Sequence, residues 1–211
     1  MKYQAVIFDL DGVIVSTDEY HYVAWKKIAD GEGIEFNHEI NNRLRGVSRM
    51  ESLEIILEKA FKEYSIEEKY LLAEAKNDFY REQLQLLTAK HILPGVENTL
   101  RELKKCQVKI AIGSSSKNTP LILRQIGLVD MFDAVVDGND IKNSKPDPEV
   151  FLLAAKRVAV ASEFCLVVED AEAGVEAALR AGMKVAGVGQ ASNCVQTNFA
   201  LHSVDEILDI V

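Results

Sequence analysis

No apolar run in this chain of 211 residues approaches the roughly 20 that a membrane-spanning helix needs. A signal-peptide pattern is also missing: residues 1–4 lead straight into strand-like sequence, so a cytosolic protein is expected. Cysteine is scarce. Cys106, Cys165 and Cys194 are odd in number and far apart, which argues against a disulfide framework or a structural zinc site. Reduced thiols are expected, with Cys165 buried in a strand. Positive charge is short as well, with 24 Lys and Arg against 33 Asp and Glu, a net −9. Such a surface repels nucleic acid and anionic membranes. An anionic substrate must then be held by a few well-placed cations against the mean field. Internal repeats and low-complexity segments are absent from the sequence.

What is present is a change of rhythm along the chain. After position 90, residues 108–112, 132–136, 165–168 and 184–188 read as short strands. Between them, Val96, Leu100 and Leu103 share one helix face, and residues 172–181 are good helix formers. This alternation predicts an α/β fold, a Rossmann-like doubly wound and mainly parallel sheet with helices on both sides. Residues 17–89 show only helical periodicity. Leu53, Ile56, Leu57 and Ala60 follow it in one stretch; Leu72, Ala75 and Phe79 follow it in another. The expected organisation is a discontinuous core, 1–16 and 90–211, carrying an inserted all-α helical-bundle cap, 17–89. The hinges fall near residues 15–17 and 88–92.

Chemistry-bearing residues cluster just after the strands. Asp9 and Asp11 follow Val6-Ile7-Phe8, two residues apart, at the carboxyl end where open α/β sheets place their ligands. Ser114 follows the second strand, Lys145 opens Lys145-Pro146-Asp147, and Glu169-Asp170 follows Leu166-Val167-Val168. Taken singly, each has a plain structural reading. Glu169-Asp170 can cap the next helix, Ser114 can be an N-cap, and Lys145 can be a solvated loop charge. Asp9 and Asp11 outline a phosphoryl-transfer constellation, in which one carboxylate can attack while the other handles protons and a divalent cation can hold the attacker, and the other pieces would gather at the same sheet edge.

The order Asp-x-Asp-Gly-Val, then Ser, Lys-Pro and Glu-Asp, resembles the four motifs of the haloacid dehalogenase superfamily across essentially the whole chain. The resemblance implies Asp9 as the nucleophile that becomes an aspartyl-phosphate, and Asp11 as general acid and base. Ser114 and Lys145 would contact the phosphoryl oxygens. Mg²⁺ would be held by Asp9, Asp170, Glu169 and the backbone carbonyl of Asp11. An acid at position 11 favours phosphoryl over halide chemistry.

The cap stretches carry the specificity. Gly46 permits a tight turn in Leu44-Arg45-Gly46-Val47-Ser48-Arg49, Ser48 caps the following helix, and Arg49 sits in its first turn. A cation there is unfavourable against the helix dipole unless an anion is bound, and its fork suits phosphate. A substrate with phosphates at both ends is implied. These stretches are similar to those of β-phosphoglucomutases, as are Ser114-Ser115-Ser116-Lys117-Asn118 and Lys76-Asn77-Asp78-Phe79-Tyr80. That resemblance places Thr17, His21 and Trp25 at the hinge and sugar site. It places Arg49, Ser116, Lys117 and Asn118 at the distal phosphate. Ser52 and Lys76 would contact the sugar or order the cap, and Arg45, Gly46, Val47 and Ser48 would line the same pocket. Alone, His21 and Trp25 read equally as packed residues and Lys76 as a solvated lysine. Ser16 departs from the family, which usually has an acid there, and Arg45 stands where relatives often carry Lys. The expected activity is a monomeric mutase interconverting β-glucose 1-phosphate and glucose 6-phosphate through the 1,6-bisphosphate. Competing readings are a sugar-phosphate phosphatase, a phosphonoacetaldehyde-type hydrolase using Lys26, Lys27 or Lys76, and a non-catalytic phospho-ligand module.

Overall fold

The computed structural model describes residues 2–211. Six strands form one parallel sheet in the order β3-β2-β1-β4-β5-β6. They are β1 (Ala5–Phe8), β2 (Lys109–Gly113), β3 (Ala134–Val136), β4 (Cys165–Glu169), β5 (Lys184–Gly187) and β6 (Phe199–Ala200). The chain leaves β1 toward β2 on one side and returns on the other side as β4. The strand order therefore reverses around β1, which opens a crevice at its carboxyl end.

Alternation along the strands builds two cores. Val6, Phe8, Ile110, Ile112, Leu166 and Val168 face one layer with α5 (Val96–Lys105) and α6 (Thr119–Ile126). Ala5, Ile7, Ala111, Cys165 and Val167 face the opposite layer with α7 (Glu149–Arg157) and α8 (Glu172–Arg180). A period of two thus sends successive residues of one strand into different helix layers.

Residues between β1 and β2 add α1 (Asp18–Gly31), α2 (His38–Asn42), α3 (Arg49–Leu57) and α4 (Ile66–Leu84). Trp25, Phe36, Leu53, Ile56 and Ala73 give these helices a hydrophobic core of their own. Both α3 and α4 begin with a full capping box: Ser48 with Glu51, and Ser65 with Glu68. The two crossings between helices and sheet are laced together. Val15 bridges Ile92, and the Leu93 N–H donates to the Ile14 carbonyl at 2.9 Å. Ser16 is exposed there, its N–H directed at the His91 carbonyl.

Two sequence expectations change, and one element lies outside them. The third strand starts at Ala134 rather than 132, because the Asp133 carboxylate takes the Ile110 N–H at 2.8 Å and substitutes for a ladder bond. β6, two residues long, carries no readable pattern. The buried stripe of α4 is Ala73, Lys76, Tyr80 and Leu84, one position round from Leu72, Ala75 and Phe79, and Ala75 is exposed. A lysine inside that stripe conceals its period.

Leu53 is fully buried, whereas Leu57 on the same helix is half-buried. Leu53→Ala is expected to cost about 2–5 kcal/mol in urea unfolding, and Leu57→Ala clearly less. Equal losses would mean that the helical core does not pack around Leu53.

Candidate active site

The strand ends set the first half of the site. Asp9 follows β1 directly, its N–H donating to the Val168 carbonyl at 2.9 Å. Lys145 is wholly buried beneath it, with Nζ 2.5 Å from Asp9 Oδ1 and 2.5 Å from Glu169 Oε1. Burial opposes the ammonium, but the two carboxylates outweigh it and hold the Lys145 pKa above the ordinary lysine range. Glu169 Oε2 accepts the N–H groups of Asp170 and Ala171 at 2.9 and 3.0 Å. Glycine gives these groups room. A Cβ on Gly174 would lie 1.9 Å from Glu169 Oε1. A Cβ on Gly12, whose φ is +82°, would lie 2.2 Å from Asp170 Oδ2.

Asp9, Glu169 and Asp170 each bring a carboxylate oxygen into one group spanning no more than 4.8 Å. Burial raises the Asp9 pKa well above its usual range, with Lys145 opposing and Glu169 and Asp170 adding to the rise. Burial and the Glu169 charge push Asp170 up to about 7, against the pull of Arg45. Crowded, buried oxygen donors under mutual repulsion fit a hard divalent cation such as Mg²⁺. The Asp11 side chain is outside this group. It accepts a hydrogen bond from the Thr17 hydroxyl, and burial pushes it up to about 6 while that bond pulls it down. Ser114, almost fully buried, accepts the Ser116 N–H at 3.1 Å, and Ser116 Oγ accepts the Asn118 N–H at 3.2 Å. Neither serine caps α6.

The helical segment covers this edge and encloses a cavity of about 890 Å³. Asp9, Asp11, His21, Trp25, Arg45, Gly46, Val47, Ser48, Arg49, Ser52, Lys76, Ser114, Ser116, Lys117, Asn118 and Asp170 line it. Thr17 is fully buried and reaches the cavity only through Asp11, as Lys145 does through Asp9. Trp25 is almost wholly inside the helical core and offers the cavity little more than an edge. Arg45 is committed to carboxylates: Nη1 donates to Asp170 Oδ2 at 2.9 Å and Nη2 pairs with Asp18. Arg49 makes no ion pair among the described residues, and burial lowers its pKa despite Asp78 and Glu74 nearby. Lys76 Nζ meets His21 Nδ1 at 3.0 Å and lies over the rings of Trp25 and Tyr80 at 4.9 and 4.3 Å. Burial, then the Lys76 charge, keep His21 well below the usual histidine pKa.

A family model for haloacid dehalogenase-like hydrolases matches residues 6–188. The chain belongs to the haloacid dehalogenase-like hydrolase family. It is 43% identical over 206 residues to a β-phosphoglucomutase of Bacillus subtilis, covering 97% of this chain and 91% of that protein. It is 34% identical over 184 residues to a phosphorylated carbohydrates phosphatase of Thermotoga maritima, covering 86% and 82%. Among solved structures, a β-phosphoglucomutase of Clostridium difficile superimposes with a TM-score of 0.91 at 42% identity, covering 97% of this chain and 93% of the other.

Within this family member the structure also brings in residues that sequence reasoning passed over. Asp18 anchors Arg45, Asn77 Oδ1 accepts the Asn118 side-chain amide at 2.9 Å, and the Tyr80 ring packs 4.2 Å from His21. Each lies next to a residue named from the sequence, Asp18 beside Thr17, Asn77 beside Lys76 and Tyr80 in the Lys76–Tyr80 stretch, and nothing in composition marks it as separate from its neighbours. The Tyr80 hydroxyl is buried without a hydrogen-bond partner among the described residues.

Burial, then Arg49, lower the Lys76 pKa to about 7, against 10.5 for a free lysine. Below pH 7 both folded and unfolded forms are charged, and folding carries the whole burial penalty. Between 7 and 10.5 the folded form is already neutral, so the penalty shrinks as pH rises. Lys76→Met should therefore raise the melting temperature more at pH 6 than at pH 9. A gain independent of pH would show that Lys76 is not a buried cation.

Proposed function

We propose that this protein is a β-phosphoglucomutase, interconverting β-glucose 1-phosphate and glucose 6-phosphate through β-glucose 1,6-bisphosphate. One observation carries the choice within the family: Arg49, half-buried and unpaired, faces the same cavity as Asp9. A cation there has work only if the substrate carries a second phosphate away from the reacting one. The 43% identity to the Bacillus subtilis mutase supports the same reading.

The residues take these roles. A phosphoryl group on an Asp9 carboxylate oxygen passes to the 6-hydroxyl of β-glucose 1-phosphate. The Asp9 O–P bond breaks, the sugar O–P bond forms, and Asp11 takes the hydroxyl proton. The bisphosphate turns end for end. Asp9 then attacks the 1-phosphate, and Asp11 returns the proton to the leaving O1, giving glucose 6-phosphate. Lys145 and Ser114 hold the transferring oxygens, and Arg49, Ser116, Lys117 and Asn118 hold the idle phosphate. His21, Lys76, Ser52, Trp25 and Thr17 shape the sugar site and tie it to the hinge. Asp9, Glu169, Asp170 and the Asp11 carbonyl would hold Mg²⁺, which would supply further neutralisation of phosphoryl charge. Residues 17–89 act as a cap that lifts from and closes on the core, 1–16 and 90–211, keeping bulk water from the phosphorylated aspartate. The three free cysteines suit the cytoplasm.

The competing reading, a sugar-phosphate phosphatase, has its support in the Thermotoga maritima relative. The two differ in product. With β-glucose 1-phosphate, Mg²⁺ and a trace of 1,6-bisphosphate, glucose 6-phosphate should accumulate with little inorganic phosphate; the reverse ratio selects the phosphatase. Asp9→Asn should abolish phosphoenzyme formation, and persistence of the label would assign another nucleophile. Arg49→Ala should lower mutase kcat/KM about tenfold to a hundredfold, the size of one charge-assisted hydrogen bond, while hydrolysis of acetyl phosphate stays near wild type. Equal losses on both substrates would remove the second-phosphate argument.

A further inference from the structure

Arg45 belongs to the loop between α2 and α3, yet its guanidinium reaches across the cavity to Asp170, a member of the carboxylate group at the sheet edge. The loop is pressed close, since a Cβ on Gly46 would lie 3.3 Å from the Ala171 Cβ. Asp9, Glu169 and Asp170 oppose a single buried cation, Lys145. Two formal negative charges are left for a divalent ion, and Arg45, which shares its charge between Asp170 and Asp18, offsets part of that remainder. We propose that Arg45 is a latch that links cap closure to metal occupancy: closing places it on Asp170 and weakens the hold on the divalent cation, and binding the cation loosens the latch. This rests on the reading that Asp9, Glu169 and Asp170 hold such an ion.

Two features make the latch reversible. Asp18, at the start of α1, binds the other end of the same guanidinium. When the helical segment lifts, Arg45 keeps that partner and releases only Asp170, so the guanidinium is not left unpaired. In the closed arrangement Arg45 Nε is buried without a hydrogen-bond partner, a standing penalty against permanent closure. An incoming substrate phosphate adds negative charge beside both cations and removes the conflict, so full closure with metal bound is reserved for the loaded enzyme. Linkage requires the effect to run both ways, with one coupling factor for metal on closure and closure on metal.

The test uses the full chain without substrate, with Mn²⁺ as the probe read by its electron paramagnetic resonance signal. Arg45→Met should bind Mn²⁺ about fivefold tighter or more, the lower end of ordinary coupling factors, and Arg45→Lys should stay near wild type. Equal affinities for wild type and Arg45→Met overturn the latch. Small-angle scattering on the wild type gives a check that needs no variant: adding Mg²⁺ should increase the radius of gyration, and an unchanged or smaller radius also overturns it. If the wild type binds no Mn²⁺ at all, the cation reading itself falls, and the latch with it.

Discussion

The buried ammonium of Lys145 is the contact on which the site depends. It lies under the sheet edge with no exposure, bonded to Asp9 and Glu169 at once, with the Phe151 ring 4.7 Å away. An isolated cation there would be intolerable, and so would three adjacent carboxylates without it. The groups stabilise one another only as a set. That set is assembled from β1, the loop before α7, and β4, so its formation reports that the parallel register has closed correctly. Gly12 and Gly174 belong to the same constraint, because each yields space that a carboxylate occupies. Fold and chemistry are therefore specified by the same few positions.

How much of this was legible in the sequence varies with the kind of signal. Strand-end residues Asp9, Ser114 and Glu169 could be placed from pattern alone, since a parallel sheet gathers its carboxyl ends. Lys145 could not. A loop lysine before proline carries no sign of burial, and only its company in the motif order marks it. The α4 helix shows the opposite failure: Leu72, Ala75 and Phe79 gave a plausible apolar face, but the chain buries Lys76 and Tyr80. Hydrophobic periodicity misreads a helix whose inner face carries a lysine because it lines a site. Arg45 and Arg49 both line the pocket expected from the sequence, and they diverge because Arg45 forms ion pairs with Asp170 and Asp18 while Arg49 forms none among the described residues. Partners distant in sequence, such as Asp18 with Arg45 or Asn77 with Asn118, are products of closure and leave no local trace.

That divergence answers the shortage of positive charge in an acidic protein. A net −9 opposes any phosphorylated substrate. Lys145 and Arg45 do not relieve it by themselves, since their charge is already matched by Asp9, Glu169, Asp170 and Asp18. Arg49 and Lys76 are different. Both are held in the cavity wall with no carboxylate partner, and burial lowers the pKa of each. A cation already stripped of water, with no ion pair to break, gains more from an arriving dianion than a solvated surface lysine does. Its desolvation is met by folding, through packing of the helical core around Trp25, Leu53 and Ile56. The stability of the helical segment and the affinity for phosphate are thus opposed terms in one balance. On this argument the helical core must be well packed because its inner face is charged.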